Sequence, residues 1–319
     1  MASAPNPWAR FLLRRVMRFM ISMAILVSAS SAMIHLVPGD PVRAALGTTA
    51  PAELVEARRS ALGLDRPLWE QTLTHLKGLF TGDLGRSIGS DLPVSTIIAE
   101  RLPGTLTLAL PAAALALAVA IPLGLSMAVL THGGRRRAAE IAFTGTTGVF
   151  AVIPEFLLAV GLVYVFAVTL GWLPVAGRDG PDSYVLPVLA LALGPLAGLS
   201  RVVRVEALSV LDQDYMRTAR AKRLPARLLY LRHALPNVLT SALTIAGMLV
   251  AGLIAGTVLV ETVFAWPGLG ATIVQSIQQK DYPLVQGVVL IYGSAVLVAN
   301  LLVDTALGLL SPSSTVKES

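Results

Sequence analysis

Three carboxylates stand inside or beside long apolar stretches of this chain: Glu155, Glu261 and Asp304. A charge at the centre of a bilayer costs about 2.5–3.5 kcal/mol on insertion scales, so each needs a partner or water. Glu155 follows Pro154 in mid-stretch, and two interpretations stay open for it. Either it contacts an amine or cation in an aqueous pathway, or it bonds to a neighbouring helix. We expect structural or gating roles for the other two, with Glu261 anchoring the turn at Trp266.

The sequence excludes several other kinds of reactive site. It contains no cysteine, which rules out disulfides, thiolate metal sites and cysteine nucleophiles. The histidines lie far apart, without the short spacings of a zinc site. No Gly-x-x-x-x-Gly-Lys-Ser/Thr motif occurs, so no phosphate-cradling loop is expected. We therefore predict no catalytic residue, no metal site and no cofactor bound by this chain.

The densest run of charge is residues 201–236, called here the basic segment, with eight basic residues between two apolar stretches. Such a segment must lie at a membrane surface, where charge stays hydrated. Asp212 and Asp214 near its start, and Arg220 and Lys222 further on, match the dipole of a helix. The pattern predicts an ordered helix from about Gln213 to Arg223. Basic residues that merely retain a loop on one side of a membrane are the alternative.

The composition places these residues in a membrane protein. The chain is 55% hydrophobic and 14% charged, against roughly 25% charged residues in soluble domains. Gly252 and Gly256 form a Gly-x-x-x-Gly step of the kind that lets helices approach closely. Apolar segments near the ~20 residues of a membrane helix predict an all-α integral membrane fold with six transmembrane helices. The predicted spans are 12–37, 104–131, 141–170, 184–203 (kinked at Pro187 and Pro195), 238–263 and 283–310.

Basic residues in short loops predict the orientation. With the N-terminus inside, sixteen basic residues face the cytoplasm, and only Arg178 and Lys280 lie in short external loops. Residues 1–11 and 311–319 are then cytoplasmic ends. Residues 38–103 form an external segment with helices expected over Ala52–Leu62 and Trp69–Phe80. A cleaved signal peptide is disfavoured, because the first apolar run continues to Val37.

The basic segment resembles the EAA loop of ABC importer permeases of the dipeptide, oligopeptide and nickel branch. The resemblance rests on Tyr215, the run Arg217-Thr218-Ala219-Arg220-Ala221-Lys222, Leu224 and the run Arg232-His233-Ala234-Leu235. Patches in the same order elsewhere support it: Leu36-Val37-Pro38-Gly39-Asp40-Pro41, Leu62-Gly63-Leu64-Asp65-Arg66-Pro67-Leu68, Gly82-Asp83-Leu84-Gly85, Glu261-Thr262-Val263-Phe264-Ala265-Trp266-Pro267-Gly268-Leu269-Gly270, Asp281-Tyr282-Pro283 and Asn300-Leu301-Leu302-Val303-Asp304.

This resemblance implies a type I ABC importer permease fold over about 95–310, with a coupling loop at 204–237 that holds a cytoplasmic coupling helix. It implies as partners a second homologous permease, two cytoplasmic ABC ATPases that bind ATP and Mg²⁺, an extracytoplasmic substrate-binding protein and lipid of a bacterial cell membrane. Asp304 would pair with a helix of the partner permease. The residues expected at the ATPase contact are Asp214, Tyr215, Arg217, Thr218, Ala219, Arg220, Lys222, Arg223 and Leu224.

One position departs from the pattern of the resembled loop. A glycine usually follows the position of Lys222, and here it is Arg223. Glycine serves a turn at positive φ without steric cost. Pro225 can supply the break instead, because it pushes Leu224 out of the helical region. We expect the turn to be kept with altered geometry.

The cargo and the class of the protein have alternatives. Peptide, nickel and metal-chelate cargo all fit the resemblance. An intramembrane enzyme would need paired catalytic groups at matched depth, and Glu155 with the distant Asp304 is a weak pair. A channel would not need an organised docking loop. Nucleic acid is not expected as a partner, because the basic segment is flanked by membrane spans.

Overall fold

The computed structural model describes residues 7–36, 42–43, 47, 50–61, 65–67, 70, 77–78 and 81–310. These residues are almost entirely helical, with one isolated bridge between Arg86 and Pro93 and no strand in the described ranges. The helices in chain order are α1 (Pro7–Leu36), α2 (Ala52–Ala61), α3 (Val94–Thr131), α4 (Arg137–Val152), α5 (Glu155–Leu162), α6 (Val185–Leu211), α7 (Asp214–Ala221), α8 (Leu235–Val263), α9 (Leu269–Gln278) and α10 (Tyr282–Leu310).

Several of these helices are membrane-spanning in length and composition. Within the described residues, the segments Val94–Gly134, Pro181–Leu211 and Tyr282–Val303 qualify, and α4 with α5 makes a fourth if the bent pair is one span. Helices α1 and α8 have 30 and 29 residues. α3 begins at Val94 and not near residue 104, so its 38 residues reach about 57 Å, well beyond the hydrocarbon core.

The predicted span 141–170 is not one straight helix. α4 and α5 differ in direction by 101°, and α5 continues as a π-helical turn over Val163–Thr169. The break lies at Ile153 and Pro154, whose ψ angles of 124° and 140° are extended. Proline lacks an N–H and pushes the preceding residue out of the helical region, which explains the break.

The two prolines of the predicted fourth span, Pro187 and Pro195, do not break the helix as Pro154 does. Pro187 lies in the first turn of α6, where backbone N–H groups have no intrahelical partner anyway. Pro195 lies inside α6, and the helix continues through it to Leu211. The first part of the basic segment is therefore the end of this helix and not a loop. In the segment predicted to be external, α2 covers Ala52–Ala61, while most of Trp69–Phe80 lies outside the described residues.

The core is formed by α3, α6 and α8. One apolar cluster joins α3 and α6 to α7 and the start of α8 at the end of the bundle that carries the basic segment, called here the basic end. A second cluster lies at the opposite end and contains Trp266 and Phe264, beyond the end of α8. α1 packs at the side against α10, where the Gln286 amide donates to the Ser30 carbonyl at 2.9 Å.

Candidate functional site

Helix α7 occupies Asp214–Ala221, within the stretch of the basic segment that the charge pattern predicts to be helical. It has an acidic residue in its first turn, Asp214, and a basic residue in its last turn, Arg220. Both charges oppose the partial charges of the helix ends and so stabilise this short helix. A helix of eight residues is marginal alone, so its packing against the bundle must supply most of its stability.

One face of α7 is seated on the bundle. Met216 is fully buried and Ala219 is 7% exposed, and both belong to the cluster that includes Leu211 and Val203 of α6. Arg220 Nη2 donates a hydrogen bond of 3.0 Å to the carbonyl oxygen of Leu211. The half-buried Leu224 packs against the same cluster. This inward set fixes α7 to the end of α6.

The other face of α7 is bare. Tyr215 exposes 42% of its surface, and Asp214, Arg217, Thr218, Lys222 and Arg223 are also exposed. Arg217 pairs with Asp214 at 3.3 Å within the helix, an exposed pair that contributes little to stability. Partial burial raises the pKa of the Tyr215 phenol above its ordinary value. The predicted contact residues thus separate into an inward set and an outward set.

The turn after α7 is made by Arg223 itself. Its φ of +52° lies in the left-handed region, and its N–H donates to the Arg220 carbonyl at 2.9 Å. An arginine thus adopts the positive φ that a glycine adopts without steric cost, at a cost of roughly 1–2 kcal/mol. The altered geometry expected from Pro225 is therefore not found at Arg223. Pro225 follows in an extended conformation and begins the next short helix.

Two polar links at the basic end were not predicted as pairs. Nε2 of His132, just after α3, lies 2.9 Å from Oδ1 of Asp212, which ends α6. Arg204 of α6 donates to Glu140 of α4 at 2.7 Å and to Thr131 of α3 at 3.1 Å. In the sequence, Arg204 contributes only to the excess of basic residues that predicts the orientation of the chain. The contacts show that α3, α4 and α6 are joined beside α7.

Glu155 is the first residue of α5, directly after the break at Pro154. It is half-buried, and its carboxylate faces Gly256 of α8. It makes no hydrogen bond or ion pair with any residue that the structure describes. The bond to a neighbouring helix, one of the two interpretations from the sequence, is therefore not formed within the described ranges.

Glu261 is fully buried near the end of α8. Oε1 accepts a hydrogen bond from the Thr105 hydroxyl at 2.7 Å, and Oε2 accepts from the N–H groups of Gly270 and Ala271 at 2.7 and 3.1 Å. The carboxylate thus caps the positive end of α9 and links it to α3 and α8. A buried charge is tolerated where such donors satisfy it.

Trp266 completes this junction. Its side chain is fully buried, and Nε1 donates to the Gly104 carbonyl of α3 at 2.9 Å. The Tyr184 ring meets the indole edge-on at 4.7 Å, and the Arg178 guanidinium lies over it at 5.6 Å. Glu261 and Trp266 therefore hold the same turn from two sides.

Asp281 is a structural carboxylate that sequence reasoning did not single out. It is 1% exposed, accepts from the Leu284 N–H at 3.3 Å and so caps α10. It also accepts from the Ser87 hydroxyl and from the N–H groups of Ile88 and Gly89 at 3.1 and 3.3 Å. An aspartate directly before a helix is the signal that could have identified it.

The remaining predicted site residue is Asp304, which lies in α10, but its side chain is outside the described residues. No group of three or more His, Asp or Glu side chains that could hold a metal ion occurs within the described ranges. The structure thus separates the predicted residues into α7 at the basic end, Glu155 at the break, and the Glu261–Trp266 junction at the opposite end.

Comparison with known proteins gives concordant matches. Residues 120–316 match the family model "Binding-protein-dependent transport system inner membrane component", and residues 8–109 match the N-terminal model of the same kind of membrane component. The chain is 36% identical over 304 residues to the glutathione transport system permease protein GsiC of Pectobacterium atrosepticum. It is 34% identical to GsiC of Escherichia coli K12 over the same length, and both alignments cover 95% of this chain and 98% of the relative.

A solved structure resembles the fold. The MetNI methionine ABC transporter in inward-facing conformations aligns with a TM-score of 0.54 at 17% identity, over 67% of this chain and 96% of that one. At that identity the likeness concerns the fold alone.

Proposed function

The chain belongs to the family of binding-protein-dependent transport system inner membrane components, and from that premise we propose how it works as an ABC importer permease. It forms half of the translocation pathway for a peptide and hydrolyses no ATP itself. The energy arrives at α7 from a separate ATPase. The observation that carries this proposal is the two-sided burial of α7, which is fixed to α6 through Met216 and Arg220 and bare at Tyr215.

The proposed topology has six membrane spans: α1, α3, α4 with α5, α6, α8 and α10. Four of these spans are the long apolar segments described above. The other two are α1 and α8, and their lengths of 30 and 29 residues are sufficient to cross the bilayer. The basic end faces the cytoplasm of a bacterial cell, as the excess of basic residues there favours. Both termini are then cytoplasmic, and the segment before α3 is external.

The proposed assembly contains this chain, a second homologous permease, two ABC ATPases and an extracytoplasmic substrate-binding protein, set in lipid. ATP and Mg²⁺ belong to the ATPases, which fits the lack of a phosphate-binding motif in this sequence. The outward residues Asp214, Tyr215, Arg217, Thr218, Lys222 and Arg223 contact an ATPase. The inward residues Ala219, Arg220 and Leu224 carry the resulting movement to α6.

The proposed cargo is a short peptide. Relatives at 34–36% identity are named as glutathione transport permeases, and glutathione is a short peptide. This favours a peptide over nickel or a chelate as the cargo. Glu155 lies on the pathway, Glu261 and Trp266 hold a gate element at the external end, and Asp304 pairs with the partner permease. A charged carboxylate that faced lipid would cost free energy, and this supports a position for Glu155 on a water-filled pathway.

Reconstitution tests the proposal. The complete complex in proteoliposomes, with receptor outside and ATP inside, is expected to accumulate labelled glutathione against a gradient. A complex lacking this chain is the control and should accumulate none. Accumulation that is independent of ATP, or that persists without this chain, would contradict the proposal.

A further inference from the structure

The break between α4 and α5 presents a single carboxylate inside a membrane span. Glu155 begins α5 directly after Pro154, is half-buried, and is not paired with any described residue. Glu261, a fully buried carboxylate near the end of α8, has three hydrogen-bond donors from Thr105, Gly270 and Ala271. The Glu261 carboxylate is thus fully satisfied by its donors, whereas no described residue pairs with the carboxylate of Glu155.

The facing helix leaves room for this carboxylate. A Cβ atom at Gly256 of α8 would overlap Oε2 of Glu155, whereas a Cβ at Gly252, one turn earlier, would meet nothing within 4 Å in the described part of the chain. The Gly-x-x-x-Gly step of the sequence therefore does not seat a second described helix at Gly252. Gly256 alone leaves room for the carboxylate, and Gly252 does not touch it.

The chemistry of the site selects its ligand. A carboxylate only accepts hydrogen bonds, so its partner must be a donor, and a positive donor forms the strongest such bond. A divalent metal ion would need several ligands, and no metal-binding group of His, Asp or Glu occurs among the described residues. A primary ammonium needs one carboxylate and otherwise water, which fits a half-buried carboxylate that no described residue pairs with.

We propose that Glu155 is the subsite that receives the positively charged amino group of the cargo during passage. This inference rests on the proposed function and specifies its substrate class as peptides with a free amino group. The side chain contacts the substrate and takes no part in ATP hydrolysis, which occurs in other subunits at the basic end.

The test is uptake of a matched pair of cargoes by the reconstituted complex. Glutathione carries a free amino group, and N-acetylglutathione does not. Each is supplied at a concentration that saturates the receptor, as followed by receptor fluorescence. The Glu155→Gln variant is expected to lose about tenfold or more of its glutathione uptake, while its N-acetylglutathione uptake equals that of the wild type. Glu155→Asp should retain the preference for glutathione.

A second pair of variants tests the geometry without removing the charge. Gly256→Ala places a methyl group against the carboxylate and should reproduce the selective loss of glutathione uptake. Gly252→Ala, the same change one turn away in open space, should leave both uptake rates unchanged.

The contrary outcomes are distinct. Equal loss of both cargoes in Glu155→Gln, or no loss of either, overturns the assignment of Glu155 and leaves the proposed function intact if the wild type still imports glutathione. Loss of the partner permease from the purified Glu155→Gln complex overturns it also, because the carboxylate would then be a packing contact. A wild-type complex that imports neither cargo contradicts the proposed function and this inference with it.

Discussion

The guanidinium of Arg220 donates a hydrogen bond of 3.0 Å to the carbonyl of Leu211 and so joins the end of α7 to the end of α6. The last carbonyls of a helix have no intrahelical partner, and a cation there is favourable. Met216 is buried beneath the same junction. A displacement of α7 is therefore passed to α6 through a contact that is both packed and hydrogen-bonded.

The two faces of α7 predict two different phenotypes. Met216→Ala removes a fully buried side chain and should destabilise the permease by about 2–5 kcal/mol, measured as a lower Tm of the purified protein. Tyr215→Ala, the neighbouring exposed change, should alter stability by no more than about 0.5 kcal/mol and yet reduce co-purification of the ATPase. Equal thermal effects of the two variants would contradict the burial that separates these residues.

The turn at Arg223 predicts a stabilising substitution. Arg223→Gly relieves a left-handed conformation and should stabilise the folded protein by roughly 0.5–1 kcal/mol, after allowance for the greater backbone entropy of glycine. The control is Arg227→Gly in the short helix Ala226–Leu228, which should destabilise by a similar amount. Thermal unfolding of the three proteins side by side measures both, and a lower Tm for Arg223→Gly would show that the arginine conformation is not strained.

The capping of α9 by Glu261 predicts that removal of this carboxylate strongly destabilises the folded protein. Glu261→Ala leaves the Thr105 hydroxyl and the N–H groups of Gly270 and Ala271 without their acceptor, which should cost roughly 3 kcal/mol or more. The control is Thr262→Ala, since the Thr262 hydroxyl is exposed and donates to the Val258 carbonyl of its own helix. A Tm of Glu261→Ala equal to that of Thr262→Ala would refute the capping role.

The contacts of Asp281 predict that its substitution loosens the segment before α3. In Asp281→Asn the N–H groups of Ile88 and Gly89 lose a charged acceptor, and their hydrogen exchange should become about tenfold faster. Asp91→Asn is the control, because the Arg86–Asp91 pair at 3.7 Å is exposed on both sides. Unchanged exchange at residues 88–89 in Asp281→Asn would mean that this carboxylate does not hold the segment.

The sequence predicts the helix in the basic segment because two kinds of signal agree there. Charge cannot remain in hydrocarbon, and the order of acidic then basic residues suits a helix dipole. It does not predict which side of α7 turns inward. Ala219 and Met216 become buried only because α6 and the start of α8 come together around them, and that is a tertiary contact.

The proline break and the Asp281 contact show the same limit. Prolines mark the possible positions of a kink, but Pro187 falls in a first helical turn, where it is tolerated, and Pro154 falls where it separates two helices. Asp281 is a visible helix cap, yet its partner Ser87 is 194 positions away in the sequence. Local patterns carry no information about that pairing.

Cross-linking from α7 tests the central claim most directly. The chain contains no cysteine, so Thr218→Cys introduces a unique thiol on the bare face and Ala219→Cys introduces one on the seated face. With a short thiol-to-amine cross-linker, the account predicts that Thr218→Cys joins the permease to its ATPase and that Ala219→Cys does not. A complex that retains the ATPase but gives no cross-link from Thr218→Cys, or labelling of that thiol by an impermeant reagent from outside intact cells, would contradict it.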